Sequence, residues 1–280
     1  MNRPLISVVT VVYNCVDTIE KTILSVVNQT YSEIEYIIID GGSHDGTQDK
    51  IQPYSSVLAY YHSKPDKGLY DAMNQGMTKA KGDFCLFLNA GDLFYRKNTL
   101  ARMVAKIDAF DALYFATAVM TDEKNIFRLR PPSGIEVEAY LANGGLPNHQ
   151  ATLFPRRFYA SNNYDLTFRV AADDDYKIRA LRECKPIFVD CWAIVFELGG
   201  LSKSNSSLKL IHRRVKEMQK LNEKHFPDRA SFGVTQLKYV IKAYLLFTLE
   251  KLFGYHWQYE RWFNKFQLIP ATELNRFRAE

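Results

Sequence analysis

Residues 81–96 read KGDFCLFLNAGDLFYR, and the fold turns on how they are interpreted. Phe84, Cys85, Leu86, Phe87 and Leu88 form the short, continuous apolar run of a buried strand. Immediately after it come Asn89, Ala90, Gly91 and Asp92. In an open α/β sheet, ligands sit at the carboxyl ends of the strands. An acid delivered there, beside residues with almost no side chain, can hold a hard cation such as Mg²⁺ or Mn²⁺ against a phosphate. The same four residues also suit an ordinary turn, so the surrounding chain has to decide between the two.

Upstream, residues 5–13 (LISVVTVVY) are rich in β-branched side chains and almost unbroken in apolarity, as an interior parallel strand would be. Asn14 is placed to cap a helix in which Val16, Ile19, Ile23, Val26 and Val27 keep helical spacing. A second strand over 36–39 runs into DGGSHDG at 40–46, and a third is expected over 57–61. After Lys67 and Gly68, a helix carries Leu69, Ala72, Met73, Gly76, Met77 and Ala80 on one face, with Gly82 as its closing residue. This alternation predicts an α/β fold, a parallel sheet covered on both sides. The first turn, Tyr13-Asn14-Cys15-Val16, has no glycine, which excludes a dinucleotide-binding Rossmann domain. No GxxxxGK[ST] loop is present either. Tyr13 suits stacking on a base, and Asp40 suits accepting a hydrogen bond from the base edge. Together with Asp92 they outline a nucleotide held at base, ribose and metal.

Further along, a helix is expected over 98–106 and strands over 113–120 and 151–154. His149 stands where a glycine-bearing loop becomes a strand. Arg156 and Arg157 read as a solvated pair. Asp173, Asp174 and Asp175 open a helix, where its dipole favours negative charge without distinguishing among them.

Several of these segments resemble one family. ISVVTVVYN at 6–14, IIIDGGSHDGT at 37–47 and KPDKGLYDAMNQGMTKAKGDFCLFLNAGD at 64–92 look like the nucleotide-binding half of family-2 glycosyltransferases. The likeness continues in NHQATLFPRRFY at 148–159 and FRVAADDDYKIRAL at 168–181, and thins after about residue 205. Within the family it leans to the bacterial branch that builds capsule, O-antigen and colanic-acid-type polysaccharides. The resemblance implies a GT-A fold: a Rossmann-like mixed sheet with helices on both faces, plus a C-terminal helical segment. Residues 1–205 would be the glycosyltransferase domain, with 1–96 as its nucleotide-binding half and 97–205 as its acceptor half. Residues 206–280 would be a helical extension.

The same resemblance assigns roles. Thr10 would line the base pocket beside Tyr13 and Asp40. Asp71 would lie near the ribose or diphosphate, Asn89 by the ribose in place of an acid, and Asp92 on Mn²⁺ or Mg²⁺. His149, in an HQ motif, would touch the diphosphate or acceptor. The family pattern A-A-D-Y-D, set on Ala171 and Ala172, makes Asp173 the catalytic base, with Asp174 the second choice. The implied reaction is inverting transfer of a sugar from a nucleoside diphosphate, UDP favoured over GDP, to a glycan or polyprenyl-linked acceptor. A carboxylate would take the proton of the attacking hydroxyl. Two rivals are a sugar-1-phosphate nucleotidyltransferase, whose glycine-rich basic loop is missing, and a silent nucleotide-sugar-binding scaffold.

The net charge of +5 is mild and no nucleic-acid partner is expected. Four cysteines without CxxC spacing read as reduced, buried thiols. Neither a signal peptide nor a spanning run of about 18 apolar residues is evident. The expected location is therefore the cytoplasm, at the cytoplasmic face of the inner membrane. There, residues 237–280, rich in lysine and aromatics, would be either a helical cap or a membrane-surface contact. Glycines 199 and 200 suit a loop that closes over the donor.

Overall fold

Strand β1 (Ile6–Val12) is buried along its whole length and divides its side chains between the two faces of the sheet. Ile6, Val8 and Val12 enter one core, whereas Val9 and Val11 enter the other. That period of two is the pleat of a strand covered on both sides. Helix α1 (Ile19–Val27) lays Ile19, Ile23 and Val26 on the first face. Strand β2 (Ile34–Asp40) follows, then a short helix α2 (Thr47–Ile51) and a 3₁₀ turn over Gln52–Val57. Next come β3 (Tyr60–Ser63), α3 (Leu69–Lys79) and β4 (Phe84–Phe87). Tyr70, Met73 and Met77 of α3 pack on the second face.

The second half adds β5 (Leu93–Phe94), α4 (Thr99–Val104), β6 (Leu113–Thr121) and β7 (Ile126–Arg128). It continues through β8 (Thr152–Pro155), α5 (Arg156–Tyr159), α6 (Ala172–Glu183), β9 (Pro186–Glu197), α7 (Leu208–His225) and β10 (Leu268–Ile269). The computed structural model describes residues 3–121, 126–128, 145–197 and 208–227, together with 141, 241, 244, 245, 248 and 268–269. The closing loop expected around 199–200 lies outside the described residues. So do nearly all of the helices and aromatics expected in 237–280.

The sheet runs β10-β7-β6-β8-β4-β1-β2-β3, with β9 pairing β5 and β6. Strands β3, β2, β1 and β4 are parallel, and β8 joins β4 antiparallel. The expected mixed sheet with helices on both faces is therefore present. After β3 the chain returns to lay β4 on the far side of β1, so the order reverses between β1 and β4. Ligands of open α/β sheets occupy the crevice at such a reversal, outside the strand carboxyl ends.

Local expectations needed three corrections. Asn14 does not cap α1, whose N-cap is Thr18; it takes φ +49 and its Oδ1 accepts from the His44 amide at 3.1 Å. The third strand begins at Tyr60 because the 3₁₀ turn, with a proline in its first turn, consumes the residues before it. Gly82 does not close α3, which ends at Lys79 with an extended Ala80 cap. Gly82 lies instead against β1, where a Cβ would come within 2.6 Å of the Ser7 amide nitrogen and 2.7 Å of the Leu5 carbonyl. Both obstacles are backbone, so Gly82→Ala is expected to cost about 1–3 kcal/mol as an overpacked site. Urea unfolding measures this, and an unchanged midpoint would contradict the packing. Arg156 and Arg157 are exposed, as a solvated pair would be, and they also bond backbone carbonyls. Arg156 donates to the Lys81 carbonyl, and Arg157 to those of Asp111 at 3.0 Å and Glu183 at 2.7 Å.

α7 is built into this body. Its Leu221 joins the second core, and its buried Glu217 accepts from the amides of Arg169 (2.9 Å), Val170 (2.7 Å) and Ala171 (3.0 Å). Those three N–H groups lead directly into α6. Among the described residues no helix is long and apolar enough to cross a membrane.

Candidate active site

The carboxyl ends of β1, β2 and β4 meet at one edge. Gly41 N donates to the Val12 carbonyl at 2.9 Å, and Ala90 N to that of Val11 at 3.1 Å. Tyr13, just past β1, is 57% exposed, and His44 meets its ring edge-on at 6.2 Å. Asp40 ends β2 and is fully buried. Its carboxylate accepts from the Ser43 amide at 3.1 Å, the Ser43 hydroxyl at 2.5 Å and the Ser63 hydroxyl. Asp40 thus folds the Gly41–Ser43 turn and joins it to Ser63 at the end of β3.

Thr10, expected in the wall of the base pocket, is fully buried two residues further in, and its hydroxyl lies 3.1 Å from that of Tyr36. It supports the sheet behind the edge. A carboxylate close to the exposed ring is one to which the sequence reading gave no role. A Cβ on Gly41 would lie 2.7 Å from Asp66 Oδ2 and 3.4 Å from the Tyr13 ring, so Asp66 overhangs Gly41 beside Tyr13. Its other oxygen accepts from the Gly68 amide at 2.6 Å. The acid two residues before a helix-opening glycine in KPDKG was the available signal. Asp71, expected at the ribose or diphosphate, accepts from the Lys67 amide and from Gln75 Nε2, both at 3.0 Å. It closes the first turn of α3.

At the end of β4, Asp92 N donates to the Asn89 carbonyl at 3.0 Å around Gly91, whose φ of +97 makes the turn tight. Asn89 donates its own amide to Gln150 Oε1 at 3.1 Å. Its side-chain oxygen is buried and has no hydrogen-bond partner. A buried amide oxygen without a partner costs free energy unless a ligand supplies one. Among the described residues no cluster of three or more His, Cys, Asp or Glu is arranged to hold a metal ion. Mg²⁺-type ions in nucleotide sites commonly take only one or two carboxylates, with water and phosphate completing the shell. An orphaned amide oxygen in the same turn as one aspartate, Asn89 and Asp92, is a donor set of that kind.

Across the crevice, α6 uses its three opening carboxylates differently. Asp175 is fully buried and bound to Lys224 Nζ (2.7 Å), His225 Nε2 (2.8 Å) and Arg179 Nε (3.0 Å), so it anchors α7 to α6. Asp173 and Asp174 stay about a third exposed and share Lys177, at 3.3 and 2.8 Å. The Tyr70 hydroxyl lies 3.0 Å from both Asp173 Oδ1 and the Val170 carbonyl and offers its proton between them. Burial raises the pKa of Asp173, but the Lys177 charge, then His149 and the Tyr70 hydrogen bond, together outweigh it and leave the carboxyl below its usual range. For Asp174, burial followed by the charge of Asp173 outweighs Lys177, and its pKa is raised. Of the two, Asp173 is the better-held anion.

His149, expected at the diphosphate or acceptor, is only 7% exposed. It stacks on Phe87 at 5.1 Å and its Nε2 bonds the Tyr164 hydroxyl. Burial pushes its pKa down to about 4, the nearby Asp173 only partly opposing, so the ring is neutral at physiological pH. It acts as a strut: Asn89 bonds Gln150, its neighbour His149 bonds Tyr164, Tyr164 stacks on Tyr70 at 5.6 Å, and Tyr70 reaches Asp173. This chain of contacts ties the β4 edge to the start of α6. A separate cleft of about 270 Å³, lined by Tyr95, Arg96, Arg102, Asp190, Cys191 and Trp192, contains none of the residues above.

Comparison with known proteins agrees with this geometry. Residues 7–176 match the family described as Glycosyl transferase family 2. An uncharacterized glycosyltransferase of Mycobacterium tuberculosis is 33% identical over 71% of this chain and 78% of its own. A PGL/p-HBAD biosynthesis glycosyltransferase of Mycobacterium bovis is 30% identical over 73% of this chain and 81% of its own. In fold, the mannosyltransferase PcManGT of Pyrobaculum calidifontis, solved with GDP-Man and Mn²⁺, superposes with a TM-score of 0.63 at 16% identity, covering 91% of this chain and 77% of that one. TarS 1-349 of S. aureus, solved with UDP-GlcNAc, gives 0.60 at 16% identity over 85% and 79%.

Proposed function

Because the chain belongs to glycosyl transferase family 2, we propose that this glycosyltransferase inverts the sugar it moves and takes it from a nucleoside diphosphate, with a divalent cation as cofactor. The observation that carries the reading is the linked edge: the strand order reverses between β1 and β4, where open α/β sheets hold ligands, and a carboxylate, Asp173, is tied to that edge through Tyr70, Tyr164 and His149. Tyr13 would stack on the base, with Asp66 and the turn built by Asp40 beside it, and the ribose and diphosphate would pass Asn89. Asp92 and the Asn89 side-chain oxygen would hold Mn²⁺ or Mg²⁺, which when bound stabilises negative charge on a leaving diphosphate.

The acceptor hydroxyl gives its proton to Asp173 as its oxygen bonds the anomeric carbon, and the bonding pair of the old C–O link departs with the diphosphate. Attack and departure on opposite faces invert the carbon in a single displacement. His149 stays neutral and holds the Tyr164 ring in place. The superposed structures hold UDP-GlcNAc and GDP-Man, and we take UDP-sugars as the favoured donors, with GDP-sugars next. For the acceptor we favour a glycan or polyprenyl-linked glycan of bacterial surface polysaccharide, met at the cytoplasmic face of the inner membrane through residues 237–280. A screen of UDP- and GDP-sugars with Mn²⁺ by thermal unfolding tests the donor assignment. One of them should raise the melting temperature by several degrees, since a ligand that binds only the native state stabilises it. No shift with any sugar nucleotide at millimolar concentration would contradict the reading.

A further inference from the structure

Lys177 is a buried lysine on the second turn of α6, one turn past the acids that open the helix. Lysine is among the residues least often buried, and buried charges persist when paired. Its ammonium sits 3.3 Å from Asp173 Oδ2 and 2.8 Å from Asp174 Oδ1. A salt bridge serving helix stability alone would pair it with one acid on an exposed face. Here the lysine is covered, while the two acids remain about a third exposed.

The groups facing Asp173 come from several elements. α3 supplies Tyr70, the turn before β8 supplies the neutral His149, Tyr164 lies behind them, and α6 itself supplies Asp174 and Lys177. Tyr70 takes Oδ1 and Lys177 takes Oδ2, so the carboxylate is gripped at both oxygens. Each oxygen of a carboxylate has a second acceptor direction beyond these partners. Asp174 is drawn back onto the same ammonium at the shorter distance.

We propose that Lys177 is a positioning residue for proton removal: its ammonium, inserted between the two acids, ties Asp174 back and holds Asp173 as the one carboxylate presented to the acceptor. The proposal rests on the reading of Asp173 as the base. Without the lysine, two carboxylates would face each other with no cation between them. Like charges that close cannot both stay ionised easily, and the pair would share a proton at pH values where wild type has none.

The test compares Lys177→Met, which keeps length without charge, with Lys177→Arg. Carboxyl ¹³C NMR of aspartate-labelled protein, assigned with Asp173→Asn, follows the titration of residue 173 with no turnover needed. In Lys177→Met it should move up by at least about one pH unit, the usual effect of an opposite charge at this range. The acid limb of the donor-turnover pH profile should move with it, while donor KM stays within twofold. Lys177→Arg should return both toward wild type. If Lys177→Met does not fold, the double variant Lys177→Met/Asp174→Asn removes the unpaired second charge. There residue 173 should still titrate above wild type through loss of the lysine. A folded methionine or double variant whose residue 173 titrates as in wild type overturns the proposal. A wild type that turns over no sugar nucleotide counts against the function instead, and leaves the NMR result standing for Lys177.

Discussion

Asp173→Asn should lower turnover of the sugar nucleotide by about 10²- to 10⁴-fold at neutral pH, the range a general base contributes. Donor affinity should stay within twofold. The substitution keeps the shape of the side chain, and its amide oxygen can still accept from Tyr70, 3.0 Å away in the native protein. It removes the charge that accepts a proton and leaves Lys177 paired with Asp174 at 2.8 Å. The helix should therefore remain intact while the chemical step fails. Asp174→Asn is the matched control. With Asp174 held back on Lys177 and its carboxyl pKa raised, its loss should cost less than tenfold, an order below the general-base range. If Asp174→Asn proves the more damaging of the two, the base has been assigned to the wrong neighbour. If neither substitution matters, α6 has no part in proton transfer.

The second large effect is expected at Asp92. Asp92→Ala should abolish the Mn²⁺-dependent part of donor binding and reduce turnover by at least about 10²-fold, since charge stabilisation at a leaving diphosphate is worth several kcal/mol. The Asp92 amide bonds the Asn89 carbonyl at 3.0 Å and Gly91 supplies the positive φ of the turn, and an alanine at 92 keeps both. Isothermal titration of a UDP-sugar with and without Mn²⁺ separates the outcomes. A variant that binds the donor as tightly as wild type in Mn²⁺, and loses that affinity on chelation, would move the metal away from this loop. Asn89→Ala should weaken the same metal-dependent component less, because its orphaned oxygen is neutral.

How much of this was legible in the chain depends on the kind of information each residue carries. β1, β2 and β4 could be read because both of their faces are buried, and unbroken apolar runs in sequence say so. The two-residue β5 and three-residue β7 were missed, since such short strands carry no periodicity and exist through their partners β9 and β6. Polar residues were harder. Tyr13 and Asp92 were singled out by position, and the structure does put Tyr13 just past β1 and Asp92 in the turn after β4. Thr10, Asp40 and Asp71 were assigned to ligand, yet the hydroxyl of Thr10 and the carboxylates of Asp40 and Asp71 bond to Tyr36, to Ser43 and Ser63, and to Lys67 and Gln75. Those partners are set by the folded edge, and spacing alone cannot distinguish an acid that folds a turn from one that meets a nucleotide. The three aspartates opening α6 show the same limit. Their helix-start position predicted no difference, and the difference comes from Tyr70, Lys177 and α7, up to 103 residues away in the chain.

The most direct measurement is a crystal structure of the Asp173→Asn protein with an intact UDP- or GDP-sugar, whichever stabilises the wild type, and Mn²⁺. The account predicts the base on Tyr13, the cation on Asp92, and the anomeric carbon between the diphosphate and residue 173, with its open face toward that side chain. A sugar nucleotide bound with its anomeric carbon turned away from the start of α6, or seated elsewhere on the sheet, would contradict it.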